Sequence, residues 1–363
     1  IAPLIPYFPK LFGLESFFPP LYFTYFLVAL ALVAICHEAA HGIYARFYNF
    51  RVKSTGIAFF GPFLGAFVEP DEKQMARASK KKQMTVLAAG TFANVLLTII
   101  FGILLVLFFG ALFSPLGVKF GAYVYEPISV AGISVVGPTD FNADLLELNY
   151  NGSTYFVEGE TYEKSVAEWA DAVIAYEDAP AVKAQLKGAI VSIDDIETKN
   201  QEEVSKALAK YSPGESVLVK TAITNGDDGA PTFETKEIVL GNNKGKAYLG
   251  IAFLPTQTRG FIGWVYENTL AKVKQPNVLY ESAWGDFGWF VYYLLWWVVV
   301  INFLVALFNM LPLSILDGGR FFYLGFWGIT RNEKFAKKAF KFSSWFIFIL
   351  FILMMLRWVM VVF

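Results

Sequence analysis

Two histidines are the chain's whole supply of imidazole, and they stand four residues apart, His37 and His41, with Glu38 beside the first. On a helix, positions i and i+4 share one face, so both rings can reach a single ion. The carboxylate between them is placed to act as general base for a metal-bound water. A zinc ion there would lower the pKa of that water to roughly 7 and polarise a scissile carbonyl. The surroundings sharpen the case. The motif lies in LALVAICHEAAHGIYARF, an otherwise apolar run, where an unpaired carboxylate costs several kcal/mol. A bound cation offsets that cost. The alternative is a polar patch packed between helices without a metal.

Two imidazoles do not complete a catalytic zinc site, which takes three protein ligands and leaves one position open. No third histidine exists, and Cys36 is the lone cysteine, which also excludes an internal disulfide and a cysteine-rich zinc knuckle. The window some twenty residues downstream, TGIAFFGPFLGAF, contains no acid, and Glu69, Asp71 and Glu72 beyond it lie in a basic loop. The better third ligand is Asp317 in FNMLPLSILDGGR. There Pro312 ends the regular helix and Gly318-Gly319 let the backbone turn close to a neighbour. An N-cap or turn aspartate is the competing role for this residue.

These residues need elements to bring them together. Four apolar runs approach the roughly 20 residues that cross a bilayer: about Leu21–Phe47, Met84–Phe113, Trp284–Met310 and Phe342–Phe363. Hydrophobic residues make up 56% of the 363 and charged residues only 17%, with a mean hydropathy of +0.47. Soluble domains carry about 25% charge, so the composition is that of a membrane protein. A net charge of −1 gives no basis for nucleic-acid binding. The stretch Thr55–Pro70, broken by Gly61, Pro62 and Gly65, is too short to span and reads as a re-entrant loop or β-like hairpin. Such backbone is tolerated at membrane depth only where protein or a cavity covers it. The opening IAPLIPYFPK carries neither a methionine nor a signal-peptide pattern, so further sequence is expected before it.

Between the second and third runs the chain turns polar. Lys187–Asp195 and Glu215–Thr224 read as strands, and Asn200–Ser212 as a helix with Asn200 at its N-cap and Glu203 three residues on. The expected organisation is therefore a polytopic α-helical membrane protein with a soluble α+β insert. Residues 1–115 form the first half of the membrane core, 116–262 the insert and 263–363 the second half. Basic residues follow the first run (Arg46 to Lys82) and the third (Arg320 to Lys341). The positive-inside rule puts both segments, and the metal residues, toward the cytoplasm, with the insert extracytoplasmic.

The chain resembles the site-2 protease family of intramembrane zinc metalloproteases. The resemblance rests on His37–His41 within a span and on Asn309, Pro312, Asp317 and Gly318, which match an N-x-x-P…D-G pattern. AAGTFANVLL (Ala88–Leu97) resembles the family's A-G-P-x-x-N segment with Thr91 in place of proline, and GAFVEPDEKQMARASKKKQM resembles a loop of archaeal members. The resemblance implies that His37, His41 and Asp317 ligate zinc and that Glu38 activates water. It implies further that Asn309 binds the substrate backbone or the oxyanion and that Asn94 lines the site similarly, beside the substrate; apart from the resemblance, an asparagine in a span is either glue between packed helices or a site residue. The segment holding Gly61, Gly65 and Phe67 resembles a hairpin whose edge pairs with unwound substrate; a plug filling the cavity is the alternative. Part of the insert, from APAVKAQLKGAIVSIDD to KAYLGI, resembles a PDZ domain, while Gly117 to about Pro180 departs from that pattern. The implied function is endoproteolysis of transmembrane substrates, as in regulated intramembrane proteolysis. The partners are the substrate and the lipid bilayer, and the oligomeric state is left open. A membrane scaffold or transporter-like protein with a structural metal is the alternative reading.

Overall fold

The computed structural model describes residues 22–60, 63–168, 170–224, 229–253 and 270–362, together with 260, 264, 267 and 268. Its chain divides into two compact units, Ile1–Phe108 with Phe290–Phe363, and Phe109–Trp289.

The first unit is built on helices. Four are long and apolar enough to cross a membrane: Thr24–Phe47, Lys80–Leu112, Gly285–Asn309 and Glu333–Met360. A helix satisfies its own backbone hydrogen bonds, which is why an apolar run of this length adopts one in lipid. At 1.5 Å per residue the 33 residues of Lys80–Leu112 reach about 50 Å, beyond the hydrocarbon core of about 30 Å. The first helix packs Tyr25, Ala29 and Val33 against Trp297, Val298 and Ile301 of the third. Toward its C-terminal end, Ala45 joins Phe50, Met75, Val86, Leu87 and Leu324 in a second buried cluster. These two clusters fix the motif helix on both sides of the histidines.

The broken apolar stretch forms an antiparallel hairpin, Val52–Phe60 with Phe63–Pro70, in which Thr55 faces Val68, Gly56 faces Phe67 and Ala58 faces Gly65. Gly61 and Pro62, the expected tip, lie outside the described residues. A one-turn helix, Glu72–Arg77, follows, capped by Asp71, which accepts from the Lys73 and Gln74 N–H groups at 2.9 and 3.1 Å. The third long helix ends at Asn309, three residues ahead of Pro312, as the missing proline N–H requires. A further helix that the sequence reading did not anticipate, Asp317–Thr330, starts at the candidate ligand itself.

The second unit is rich in β-structure. A six-stranded sheet runs Thr232–Val239, Ser216–Ile223, Ala189–Ile193, Phe113–Lys119 and Val278–Ser282, with Ile196–Glu197 beside Ala189–Ile193. The helix Gln201–Leu208 covers it, burying Val204 and Ala207 against Ile190, Ile193 and Val219. Asn200 caps that helix, accepting from the Glu203 N–H at 3.0 Å. A separate five-stranded sheet is made by residues between Tyr125 and Glu177, around Ile128, Leu148, Val157 and Val173. This unit extends past 116–262 at both ends, because Phe113–Lys119 pairs with Val278–Ser282 inside it.

Candidate active site

Every residue of the candidate site belongs to the first unit. His37 and His41 lie on one face of the motif helix and are 5% and 8% exposed. Their Nε2 atoms face each other at 3.1 Å. Asp317 Oδ2 lies 3.1 Å from His41 Nε2 and 3.3 Å from His37 Nε2, so three donor atoms from two distant segments meet at one point. The Asp317 side chain keeps 27% of its surface open.

Two glycines bring Asp317 there. A Cβ on Gly318 would lie 2.3 Å from the Met310 carbonyl carbon, and one on Gly319 would lie 2.0 Å from the Leu313 oxygen. Only glycine lets the start of this helix lie directly against the 310–313 turn. The helix Lys80–Leu112 closes the site from another side through Gly90. A Cβ on Gly90 would lie 2.4 Å from His41 Nε2 and 2.5 Å from His37 Nε2.

The donor set fits a divalent cation. Two basic ring nitrogens and a carboxylate oxygen all present lone pairs to the same space, and without a cation or protons they repel. A tetrahedral ion with bonds of about 2.0–2.1 Å has ligand–ligand edges of about 3.3 Å, close to the three separations found. The far side of the His41 ring supports this reading. His41 Nδ1 lies 2.8 Å from the Val86 carbonyl oxygen, a pure acceptor, so Nδ1 carries the proton and Nε2 is left free to ligate. Among the described residues, His37, His41 and Asp317 are the one group of three or more such side chains with this mutual spacing.

Glu38 does not join them. Its Oε2 accepts from the main-chain N–H of Val68, on the second hairpin strand, at 3.0 Å. Asn309, the last residue of its helix, sends Nδ2 to within 3.2 Å of His37 Nε2. Asn94 lies behind His37, fully buried, with its amide nitrogen 2.9 Å from His37 Nδ1. It therefore touches the ring edge that faces away from Asp317. Gly65 and Phe67 lie on the hairpin strand that reaches Glu38.

Two cavities meet at Glu38. One, of about 490 Å³, is walled by Glu38, His41, Asp317, Arg320, Lys53 and Glu69, and suits water. The other, of about 850 Å³, lies between the motif helix and the hairpin and is walled by Ile35, Ala39, Ile43, Ile57, Phe67 and Val68.

Sequence reasoning missed the Val68 N–H and the Val86 carbonyl, because main-chain groups leave no mark in residue types. Gly90 did leave one: it closes the small-residue run Ala88-Ala89-Gly90, one helical turn before Asn94.

The family described as Peptidase family M50 matches residues 25–355. An uncharacterized protein of Methanocaldococcus jannaschii, MJ0971, is 39% identical over 72 residues, which cover 20% of this chain and 20% of that protein. The chain thus spans about a fifth of the length of that relative. From the family match over nearly its whole length, the chain belongs to peptidase family M50, the site-2 protease family of membrane metallopeptidases.

Proposed function

We propose that the protein is a zinc-dependent intramembrane endopeptidase that hydrolyses peptide bonds in or near transmembrane segments of other membrane proteins. The observation that carries the reading is the meeting of His37 and His41 with Asp317, which lies 280 and 276 residues further along the chain, beside Glu38 in a helix long and apolar enough to lie in lipid. His37 and His41 through Nε2 and Asp317 through Oδ2 would hold the ion. Zinc bound there polarises a carbonyl and makes water nucleophilic near neutral pH. Three protein ligands leave one position open, as a catalytic site needs and a structural site does not.

The remaining work falls to the chain's own side chains. Glu38 takes the proton from the attacking water and passes it to the leaving amine. Its free carboxylate edge lies where the two cavities meet. The Asn309 amide N–H, beside the ligand focus, donates to the carbonyl oxygen as charge grows on it, a contact typically worth about 3–4 kcal/mol in the transition state. Water arrives through the polar cavity past Arg320 and Lys53. Substrate enters from the apolar side, where the hairpin is a re-entrant element. Its strand through Gly65 and Phe67 pairs with a substrate segment that must first unwind, since helical carbonyls are engaged in their own hydrogen bonds.

The charge distribution supports a site open to the cytoplasm and an insert on the other side of the membrane. The six-stranded part of the insert is read as PDZ-like. With the five-stranded sheet as an elaboration, it serves as a filter for substrates whose outer parts have already been shortened. The test is Glu38→Gln with a single-span reporter in detergent. Cleavage is expected to fall by about 10²–10⁴-fold while metal content stays at one ion per chain; unchanged turnover would remove Glu38 as the base.

A further inference from the structure

We propose that Asn94 is a positioning residue for His37: its side-chain carbonyl accepts the Nδ1 proton and thereby holds the Nε2 lone pair on the metal. The proposal rests on the metallopeptidase reading above and adds a residue that acts through a ligand.

Two buried polar atoms lead to it. Asn94 is fully buried, and its Nδ2 faces His37 Nδ1 at 2.9 Å while its Oδ1 has no hydrogen-bond partner. An amide nitrogen only donates, so this orientation requires Nδ1 to be the acceptor and puts the ring proton on Nε2. Nε2 is the atom that meets His41 Nε2 at 3.1 Å and Asp317 Oδ2 at 3.3 Å, where a proton would block a metal. Turning the amide by 180° leaves its shape unchanged and sets an acceptor against His37 Nδ1. Oδ1 gains a donor, and His37 becomes the Nδ1–H tautomer with Nε2 free. His41 already has this arrangement through the Val86 carbonyl, so both ligands are then oriented alike.

The placement argues against a substrate contact. Asn94 has no exposed surface and meets the ring edge that points away from Asp317. Gly90, one turn earlier, lets its helix come close enough for the contact. Outer partners of metal-bound histidines typically set affinity by about 10–100-fold.

The experiment uses full-length protein in detergent, with zinc affinity measured by competition against a chromophoric chelator. It is paired with ¹⁵N spectra of histidine-labelled protein, in which His37 and His41 are the sole signals. For Asn94→Leu we expect zinc to bind about 10–100-fold more weakly. The Nδ1–H signature of His37 should be lost, that of His41 kept, and KM on a single-span substrate unchanged. Asn94→Asp, whose carboxylate can accept the same proton, should restore zinc affinity to within a few-fold of wild type. If Asn94→Leu does not fold, Asn94→Ala replaces it with the same expectation. Wild-type zinc affinity in Asn94→Leu with a raised KM would overturn the proposal in favour of a substrate contact. Equal loss of zinc in Asn94→Leu and Asn94→Asp would overturn it in favour of packing alone. Wild-type protein that binds no zinc would instead refute the metallopeptidase reading itself.

Discussion

The main-chain N–H of Val68 donates to Glu38 Oε2 over 3.0 Å, so the proposed base is held by the hairpin and not only by the helix that carries it. The same bond fixes the hairpin strand against the motif helix, at the point where the polar and apolar cavities meet. Under the proposed mechanism one carboxylate would serve chemistry and architecture together.

The two roles separate by substitution. In Glu38→Gln the amide oxygen still accepts from Val68, so the hairpin stays in place while turnover falls by about 10²–10⁴-fold, the usual share of a general base. In Glu38→Ala the acceptor is gone. A hydrogen bond to a charged group contributes about 1.5–3 kcal/mol, so amide exchange in the hairpin should quicken by about 10- to 100-fold in Glu38→Ala only. Hydrogen exchange of the two variants reads this directly. Equal exchange in both would mean that Glu38 does not hold the strand.

Gly90 gives a prediction in which two effects oppose. Alanine is about 1 kcal/mol better than glycine inside a helix, so Gly90→Ala should leave helix content and thermal stability unchanged or raised. Its Cβ, however, would stand 2.4–2.5 Å from both Nε2 atoms, in the place an ion needs. A folded protein without metal is expected, visible as retained circular dichroism with loss of zinc in elemental analysis. Normal zinc content in this variant would contradict the geometry.

Gly318 controls where the proposed third ligand stands. An alanine there would press on the Met310 backbone, with contacts of 2.3–2.5 Å, and push the start of the Asp317 helix away. Gly318→Ala should lose zinc as Asp317→Ala does, although every ligand remains. Calorimetric zinc titration of the two variants side by side checks the expectation.

The meeting of His37 and His41 with Asp317 was legible in the residues, because an ionisable trio inside an apolar helix reads as a site and an acid between Leu316 and two glycines reads as its partner. The long helices followed from run length alone, and the Asn200 cap and its helix from side-chain chemistry within four residues. The tie between Val68 and Glu38 was not legible, since any residue has an N–H. Asn94 was noticed but expected beside the substrate, because residue type does not tell which edge of His37 an asparagine meets. The helix from Asp317 was hidden by Pro312 and the glycine pair, which read as turn signals; tertiary packing against the 310–313 turn decides otherwise. The pairing of Phe113–Lys119 with Val278–Ser282 joins segments too far apart for any local pattern to show.

The insert carries its own pH signature. Tyr211 Oη donates to Asp194 Oδ2 at 2.6 Å, and the Leu218 N–H donates to Oδ1 at 2.7 Å. The Tyr211 bond first, and the Leu218 bond after it, hold the Asp194 carboxyl below its ordinary value of 3.8, and the same contact pushes the Tyr211 phenol up to about 12. A carboxyl depressed in the folded state contributes stability above its unfolded pKa and loses it as pH falls through the folded value. The melting temperature of the insert should therefore fall on acidification below about pH 4. In Asp194→Asn that part of the pH dependence should disappear.

The most direct test of the account is the metal content of purified full-length protein, measured by elemental analysis for wild type and Asp317→Ala together. One zinc per chain is expected in the wild type and a small fraction of that in the variant. Equal content in the two, or none in either, would rule out the metal site.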